Sequence, residues 1–124
     1  MILKEDPPGI YRLESFGKGV VAGFHSRIFD HSKRTEFLSG LGLIADNLVM
    51  VRQVHGSTIV VAERPDQELL ETPADGLITK VPGLVLGIRT ADCVPVFFWD
   101  PAQKVAGIAH GGWKSVKDGI LSQM

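Results

Sequence analysis

The sequence is poor in three features on which whole classes of proteins depend: cysteine, an excess of positive charge, and long apolar runs. Cys93 is the only cysteine, which excludes a disulfide bond within the chain. The formal net charge of -1 provides no basic surplus for a run of phosphates, so we expect no binding of nucleic acid. No apolar segment approaches the roughly 18 residues that span a bilayer, so we expect no membrane association. The N-terminal residues do not resemble a signal peptide, and these absences together favour a cytoplasmic protein with a reduced cysteine.

The remaining composition is that of an ordinary globular protein. A chain of 124 residues, 44% hydrophobic and 22% charged, is typical of one domain, predicted here to be residues 1–124. Short β-rich runs predict strands at residues 10–13, 20–24, 48–54, 57–63, 77–79, 84–89, 94–99 and 104–109. Helices are predicted at residues 32–41 and from residue 113 onward, with a hairpin turn at residues 100–103. This pattern indicates the α+β class, with a mixed or antiparallel sheet and flanking helices.

Three residues with metal-binding side chains lie at the ends of apolar strands, in loops of small residues: His55, Cys93 and His110. Two imidazoles and one thiolate suit zinc or copper, whereas magnesium and calcium prefer oxygen ligands. Three protein ligands leave a fourth position open, which is the arrangement of catalytic zinc sites. The sequence therefore predicts a zinc or copper site, and the same three residues are the catalytic candidates.

Other interpretations of these residues stay open at this point. An isolated histidine is more often structural than a metal ligand, and a buried free cysteine often acts as a small apolar residue. Cys93 could also be a nucleophile with a histidine as its base, as in cysteine hydrolases. Metal binding and nucleophilic attack both need a thiolate near an imidazole, so residue types alone do not separate them.

Residues beside the three ligand candidates are predicted to help in substrate binding. Asp92 is expected either to orient a histidine or to cap its own loop. Gly111 and Gly112 precede a predicted helix, whose free amides could bind an anion. Asp75 belongs to an Asp-Gly pair, a combination typical of turns, and is interpreted as a turn residue.

Four motifs in a fixed order resemble those of one known family: QVHG at residues 53–56, ADGLIT at 74–79, GIRTADCVP at 87–95 and AHGGW at 109–113. Together they look like the YfiH, or DUF152, family, over roughly residues 48–120. Its members have been called laccase-domain proteins, multicopper polyphenol oxidases and purine nucleoside phosphorylases.

The resemblance implies a fold, a ligand set and an activity. The fold would be the sandwich-like arrangement shared with cytotoxic-necrotizing-factor-type cysteine hydrolases. The family's metal ligands fall on His55, Cys93 and His110. The implied chemistry is zinc-dependent phosphorolysis of adenosine, inosine, guanosine and methylthioadenosine, with adenosine deaminase activity. Purine nucleosides and phosphate would be the partners.

The sequence departs from the family pattern in ways that keep alternatives open. Lys114 stands where the family usually has arginine, and it could hold a phosphate only as a point charge. Family members are about twice as long, so the chain is expected to be a short form that lacks the C-terminal half. Such a form would work as a homodimer, with a complementing chain, or as a non-catalytic metal-binding remnant. A copper-dependent polyphenol oxidase is the alternative enzyme.

Overall fold

The computed structural model describes residues 3–6, 8–26 and 31–124, except the side chain of His31. Two compact units are present, Met1–Asp46 and Asn47–Met124. Strands with antiparallel and mixed pairing predominate over a few short helices in the described part of the chain. The predicted α+β class is therefore confirmed.

The first unit contains a three-stranded antiparallel sheet and a short helix. Its strands are β1 (Leu3–Glu5), β2 (Ile10–Leu13) and β3 (Ala22–His25), paired in that order, and the helix is α1 (Arg34–Gly40). A turn of 3-10 helix at His31–Lys33 leads into α1, so the regular helix begins later than the sequence predicts. Ile10, Leu38 and Leu41 are buried in this unit. Gly42 has a φ of +76°, a conformation that glycine adopts without strain, and it follows the end of the helix.

The second unit contains a four-stranded mixed sheet and a two-stranded parallel pair. The mixed sheet has the order β5-β6-β9-β8, and β4 pairs with β7. The helices α2 and α3 follow the last strand. The bounds are β4 (Leu48–Val49), β5 (Ile59–Val61), β6 (Gly76–Thr79), β7 (Val85–Leu86), β8 (Val94–Asp100), β9 (Val105–Gly111), α2 (Trp113–Lys117) and α3 (Ile120–Gln123).

Two predicted strands are much shorter than the sequence indicates. The β-rich runs at 48–54 and 84–89 pair only over Leu48–Val49 and Val85–Leu86. Beyond Val49 the chain makes an isolated bridge from Arg52 to Pro73 instead of a continuous ladder. The final predicted helix is also divided, because Gly119 has a φ of +88° and interrupts α2 and α3.

The core of the second unit lies on one face of the mixed sheet. Leu77 pairs with Val60 on one side and with Ile108 on the other, and Ile108 pairs with Phe97. These four side chains form a row on one face, because residues opposite each other in neighbouring strands point the same way. The buried cluster around this row consists of Val49, Val51, Ala62, Ala74, Leu77 and Ile108.

Strand direction brings four chain segments to the same end of this sheet. β9 runs antiparallel to both β6 and β8, while β5 runs parallel to β6. The C-terminal end of β9 therefore lies beside the N-terminal ends of the other three strands.

A tight turn closes the β8–β9 hairpin, where the Asp100 carboxylate accepts hydrogen bonds from the amides of Ala102 and Gln103. The predicted hairpin turn at residues 100–103 is confirmed.

No helix among the described residues has the length and apolar character that crossing a bilayer requires.

Truncation of the core row tests its contribution to stability. Leu77 is fully buried, so Leu77→Ala should lower the free energy of unfolding by about 2–5 kcal/mol through lost burial and a residual cavity. The control is Val61→Ala on strand β5, where the side chain is 62% exposed, and it should change that free energy by about 0.5 kcal/mol or less. Both tryptophans, Trp99 and Trp113, lie in the second unit, so fluorescence during denaturant unfolding reports on this unit. Equal effects of the two substitutions would contradict this assignment of the core.

Candidate metal centre

His55, Cys93 and His110 meet at the end of the mixed sheet where the four segments converge. One potential ligand atom from each residue lies within 4.8 Å of the others. His110 is the second-last residue of β9, Cys93 directly precedes β8, and His55 lies in the segment before β5. His110 is buried, Cys93 is half-buried and His55 is exposed. The cluster therefore opens to solvent on the side of His55.

Asp75 lies beside this cluster, directly before β6, and is fully buried. One carboxylate oxygen, Oδ2, is 2.8 Å from Nδ1 of His110 and accepts a hydrogen bond from the amide of His55 at 3.0 Å. The other, Oδ1, accepts hydrogen bonds from the amides of Val54 at 3.0 Å and Gly56 at 2.9 Å. The interpretation of Asp75 as a turn residue was wrong, because its carboxylate is a buried acceptor for two separate site segments.

The protonation of Asp75 determines which nitrogen of His110 is available. Burial works to raise the pKa of Asp75, but the hydrogen bonds from His110, Val54, Gly56 and His55 outweigh it and lower that pKa from its ordinary value. The carboxylate is therefore ionised near neutral pH and can only accept hydrogen bonds. Nδ1 of His110 then donates this hydrogen bond, and in the neutral imidazole Nε2 is the nitrogen whose lone pair could bind a metal.

The backbone of His55 adopts a conformation that is unusual for a residue other than glycine. Its φ is +58°, in the left-handed region. Such a conformation costs free energy and persists only where surrounding contacts hold it. Here the amides of His55 and both its neighbours donate to Asp75, so the same carboxylate holds this loop.

Gly112 lies directly against the cluster. A Cβ atom at this position would be 3.3 Å from Cδ2 of His55 and 3.4 Å from Sγ of Cys93. Gly111 has a different constraint, since a Cβ there would be 2.7 Å from the carbonyl oxygen of Val94 on the neighbouring strand. Both glycines, predicted to offer amides to an anion, thus also have steric roles. The helix that follows them, α2, has only five residues.

Gln53 joins two of the sequence motifs, and the sequence analysis gave this residue of the QVHG motif no role of its own. Its side-chain nitrogen donates to the carbonyl oxygen of Arg89 at 2.7 Å, and its side-chain oxygen accepts from the amide of Arg89 at 2.7 Å. This pair of bonds ties the segment before His55 to the segment before Cys93. Local sequence spacing does not predict this contact, because Gln53 and Arg89 are 36 positions apart.

The other two predicted substrate-binding residues lie on the surface. Asp92 is exposed in the loop before β8, and Lys114 is exposed on α2. Asp75, not Asp92, is the carboxylate that contacts a histidine of the cluster.

The donor set fits a borderline divalent metal ion. A thiol and two imidazoles are ligands that zinc and copper accept, and Nε2 of His110 is free to bind. Gly112 leaves the space beside Cys93 and His55 that a larger residue would fill. His55, Cys93 and His110 could therefore hold such an ion with one position left for a substrate or water.

The space at Gly112 provides a direct test of this site. We predict that Gly112→Ala weakens Co²⁺ or Zn²⁺ binding roughly tenfold or more, because the added methyl group pushes on His55 and Cys93. The backbone at Gly112 is extended, so alanine adds no backbone strain and the free energy of unfolding should change little. Titration with Co²⁺, followed by its absorption spectrum, measures the affinity.

The neighbouring glycine is the comparison. Gly111→Ala should lower the free energy of unfolding itself, since its Cβ meets a backbone oxygen that cannot rotate away. Unchanged Co²⁺ affinity in Gly112→Ala would show that the ion is not held beside this glycine.

Comparison with known proteins agrees with the four motifs. The family model described as multi-copper polyphenol oxidoreductase laccase matches residues 30–124. A purine nucleoside phosphorylase of Deinococcus radiodurans is 41% identical over 81 residues, which cover 65% of this chain and 30% of that protein. Adenosine deaminase RL5, from an unknown prokaryotic organism, is 35% identical over 81 residues, covering 60% of this chain and 31% of that protein.

A solved structure shares the fold. The hypothetical protein YfiH of Bacillus licheniformis superposes with a TM-score of 0.84 and 29% sequence identity, covering 98% of this chain and 56% of that chain. The chain thus spans about a third of the curated relatives and little more than half of this solved chain. Because the family model matches most of the sequence and the fold is that of YfiH, the chain belongs to the multi-copper polyphenol oxidoreductase laccase family, which its YfiH-like motifs predict.

Proposed function

We propose that this chain acts as a zinc-dependent purine nucleoside phosphorylase on adenosine, inosine, guanosine and methylthioadenosine, with adenosine deaminase activity. The observation that carries the proposal is the cluster of His55, Cys93 and His110 beside a buried carboxylate. Two relatives, a purine nucleoside phosphorylase and an adenosine deaminase, suggest the substrate class.

In this proposal the three clustered residues hold the metal and Asp75 supports them. A bound zinc ion with an open position would activate water and polarise an oxygen atom of a substrate. Nε2 of His110 and Sγ of Cys93 would face the ion. His55, which is exposed, would complete the ligand set on the solvent side.

Exposed apolar side chains beside the ligands support a flat, largely apolar substrate. Val54 precedes His55 and Trp113 follows Gly112 in sequence. Their side chains are 43% and 80% exposed, respectively. A purine ring could lie on these two side chains, whose contact with water is unfavourable.

Phosphate and the ribose are assigned to the polar residues at the same end of the sheet. The amides of Gly111 and Gly112 and the exposed ammonium group of Lys114 would attract phosphate, and Asp92 would accept hydrogen bonds from ribose hydroxyls. Both Lys114 and Asp92 are exposed, so solvent would screen their charges and each would add only modestly to the free energy of substrate binding.

The name of the family model favours a second candidate, a copper-dependent polyphenol oxidase. Copper binds histidine and cysteine at least as tightly as zinc does. Laccase chemistry needs several coupled copper ions, however. The chain has four histidines in total, and the described residues form one candidate cluster. Zinc-dependent nucleoside chemistry is therefore the preferred assignment.

The proposal also covers the fold relation and the assembly. The fold would be related to that of cysteine hydrolases, whose nucleophile would fall on Cys93. Residues 1–124 would correspond to the N-terminal half of the family's domain and would work with a second copy or a complementing chain in the cytoplasm.

Product analysis tests the enzymatic activity. Zinc-loaded protein is incubated with adenosine, with and without phosphate, and the products are separated by chromatography. We expect adenine only with phosphate, and inosine in both tubes. His110→Ala should abolish both products, because the metal loses a buried ligand. Replacing zinc with copper should not increase either activity.

A matched pair of lysine variants separates phosphate binding from other effects. Lys114→Ala should raise the KM for phosphate, while Lys80→Ala removes an exposed lysine just beyond the opposite end of β6 and should not. If neither product forms while zinc stays bound, this chain is not such an enzyme. A copper-dependent oxidation of phenols would then support the second candidate.

A further inference from the structure

We infer that Asp75 is the positioning residue of this site: its single carboxylate selects the metal-binding tautomer of His110 and holds the loop that carries His55. The inference rests on the proposed metal site but not on the identity of the substrate. It concerns a residue outside the ligand set, and it makes the two histidines dependent on one another through a third group.

His110 is attached to Asp75 at two points. Its ring contacts the carboxylate at 2.8 Å through Nδ1, and its amide donates to the carbonyl oxygen of Asp75 at 2.7 Å. The backbone bond extends the pairing of β6 with β9 by one residue and sets the position of His110. The ring bond sets the rotation of the imidazole and leaves Nε2 as the nitrogen that faces away from Asp75.

The loop around His55 is attached to the same carboxylate by three amides. Val54 and Gly56 donate to Oδ1, and His55 donates to Oδ2. Three successive amides can converge on one carboxylate only if the backbone bends sharply, and His55 does so with its φ of +58°. Without this acceptor, no hydrogen bonds from these three amides would offset the free-energy cost of the left-handed conformation at His55.

The number of hydrogen bonds excludes Asp75 from the ligand set itself. Each oxygen of the buried carboxylate already accepts two hydrogen bonds, which matches its capacity. A buried carboxylate whose hydrogen bonds are all made acts on a metal only through the histidines it contacts.

A purely structural role would make a different prediction from a positioning role. If Asp75 only tied the loop to the sheet, either tautomer of His110 would serve. If Asp75 selects the tautomer, His110 in the metal-free wild-type protein must already carry its proton on Nδ1. The ¹⁵N chemical shifts of the histidine rings report this directly, at a pH where the imidazoles are neutral and without any metal or substrate.

The first variant is Asp75→Asn, which preserves shape but replaces one acceptor oxygen with a donor NH₂. With its NH₂ in place of Oδ1, this amide opposes the amides of Val54 and Gly56. With its NH₂ in place of Oδ2, it opposes the amide of His55 and the ring of His110, and the ring can then accept a hydrogen bond only if Nδ1 loses its proton. We expect the Nδ1-protonated form of His110 to lose population and zinc affinity to fall about 10- to 100-fold. Asp118→Asn, an equal change of charge at an exposed position, is the matched control and should keep wild-type values.

Several results would overturn the inference. One is a wild-type His110 that carries its proton on Nε2 in the metal-free protein, a measurement that needs no variant to fold. Another is a folded Asp75→Asn variant with wild-type tautomer and zinc affinity. If the tautomer and the affinity change as expected while wild-type protein turns over no nucleoside, the inference stands and the proposed activity fails. If wild-type protein turns over nucleosides and the Asn variant is unaffected, the proposed activity stands and the inference fails.

Discussion

The pairing of β9 with both β6 and β8 is the constraint on which the second unit depends. It aligns Leu77 and Ile108 in the core row on one face of the sheet. It also determines which chain segments meet at the end of the sheet, since antiparallel pairing places the end of one strand beside the beginnings of its neighbours. His110 and Cys93 come close for this reason, although 16 residues of hairpin separate them in sequence.

Side-chain hydrogen bonds complete what strand pairing begins. His55 lies between β4 and β5, in a segment without strand pairing, and the carboxylate of Asp75 holds this segment by a hydrogen bond to the amide of His55. The side chain of Gln53 performs a similar task for the segment before Cys93, where its amide group pairs with the backbone of Arg89. In both cases the side chain of Asp75 or Gln53 holds a loop in position by hydrogen bonds, where strand pairing does not reach. The candidate site can therefore be rigid although two of its three ligand residues lie in loops.

The family assignment and the site geometry bear on function in different ways. The family name refers to copper chemistry, whereas two similar proteins are named for nucleoside chemistry. A single cluster of two imidazoles and a thiolate, next to exposed apolar side chains, is compatible with one metal ion and one flat substrate. Since soft ligands accept either metal, the proposed choice of zinc depends on the chemistry that the site can perform, not on affinity.

The sequence by itself determined the α+β class, the central strands, the hairpin turn at residues 100–103 and the identity of the three candidate ligands. Those features follow from local periodicity, turn residues and side-chain chemistry. The tertiary structure decided the role of Asp75, which the Asp-Gly pair in the sequence suggests is a turn residue. It also decided the role of Gln53, whose side chain hydrogen-bonds to the backbone of Arg89. It also shortened the strands at 48–54 and 84–89, whose partners are distant in sequence. Residues that act across 20 or more positions leave no local pattern, because the contacts that give them a role exist only after the strands have paired.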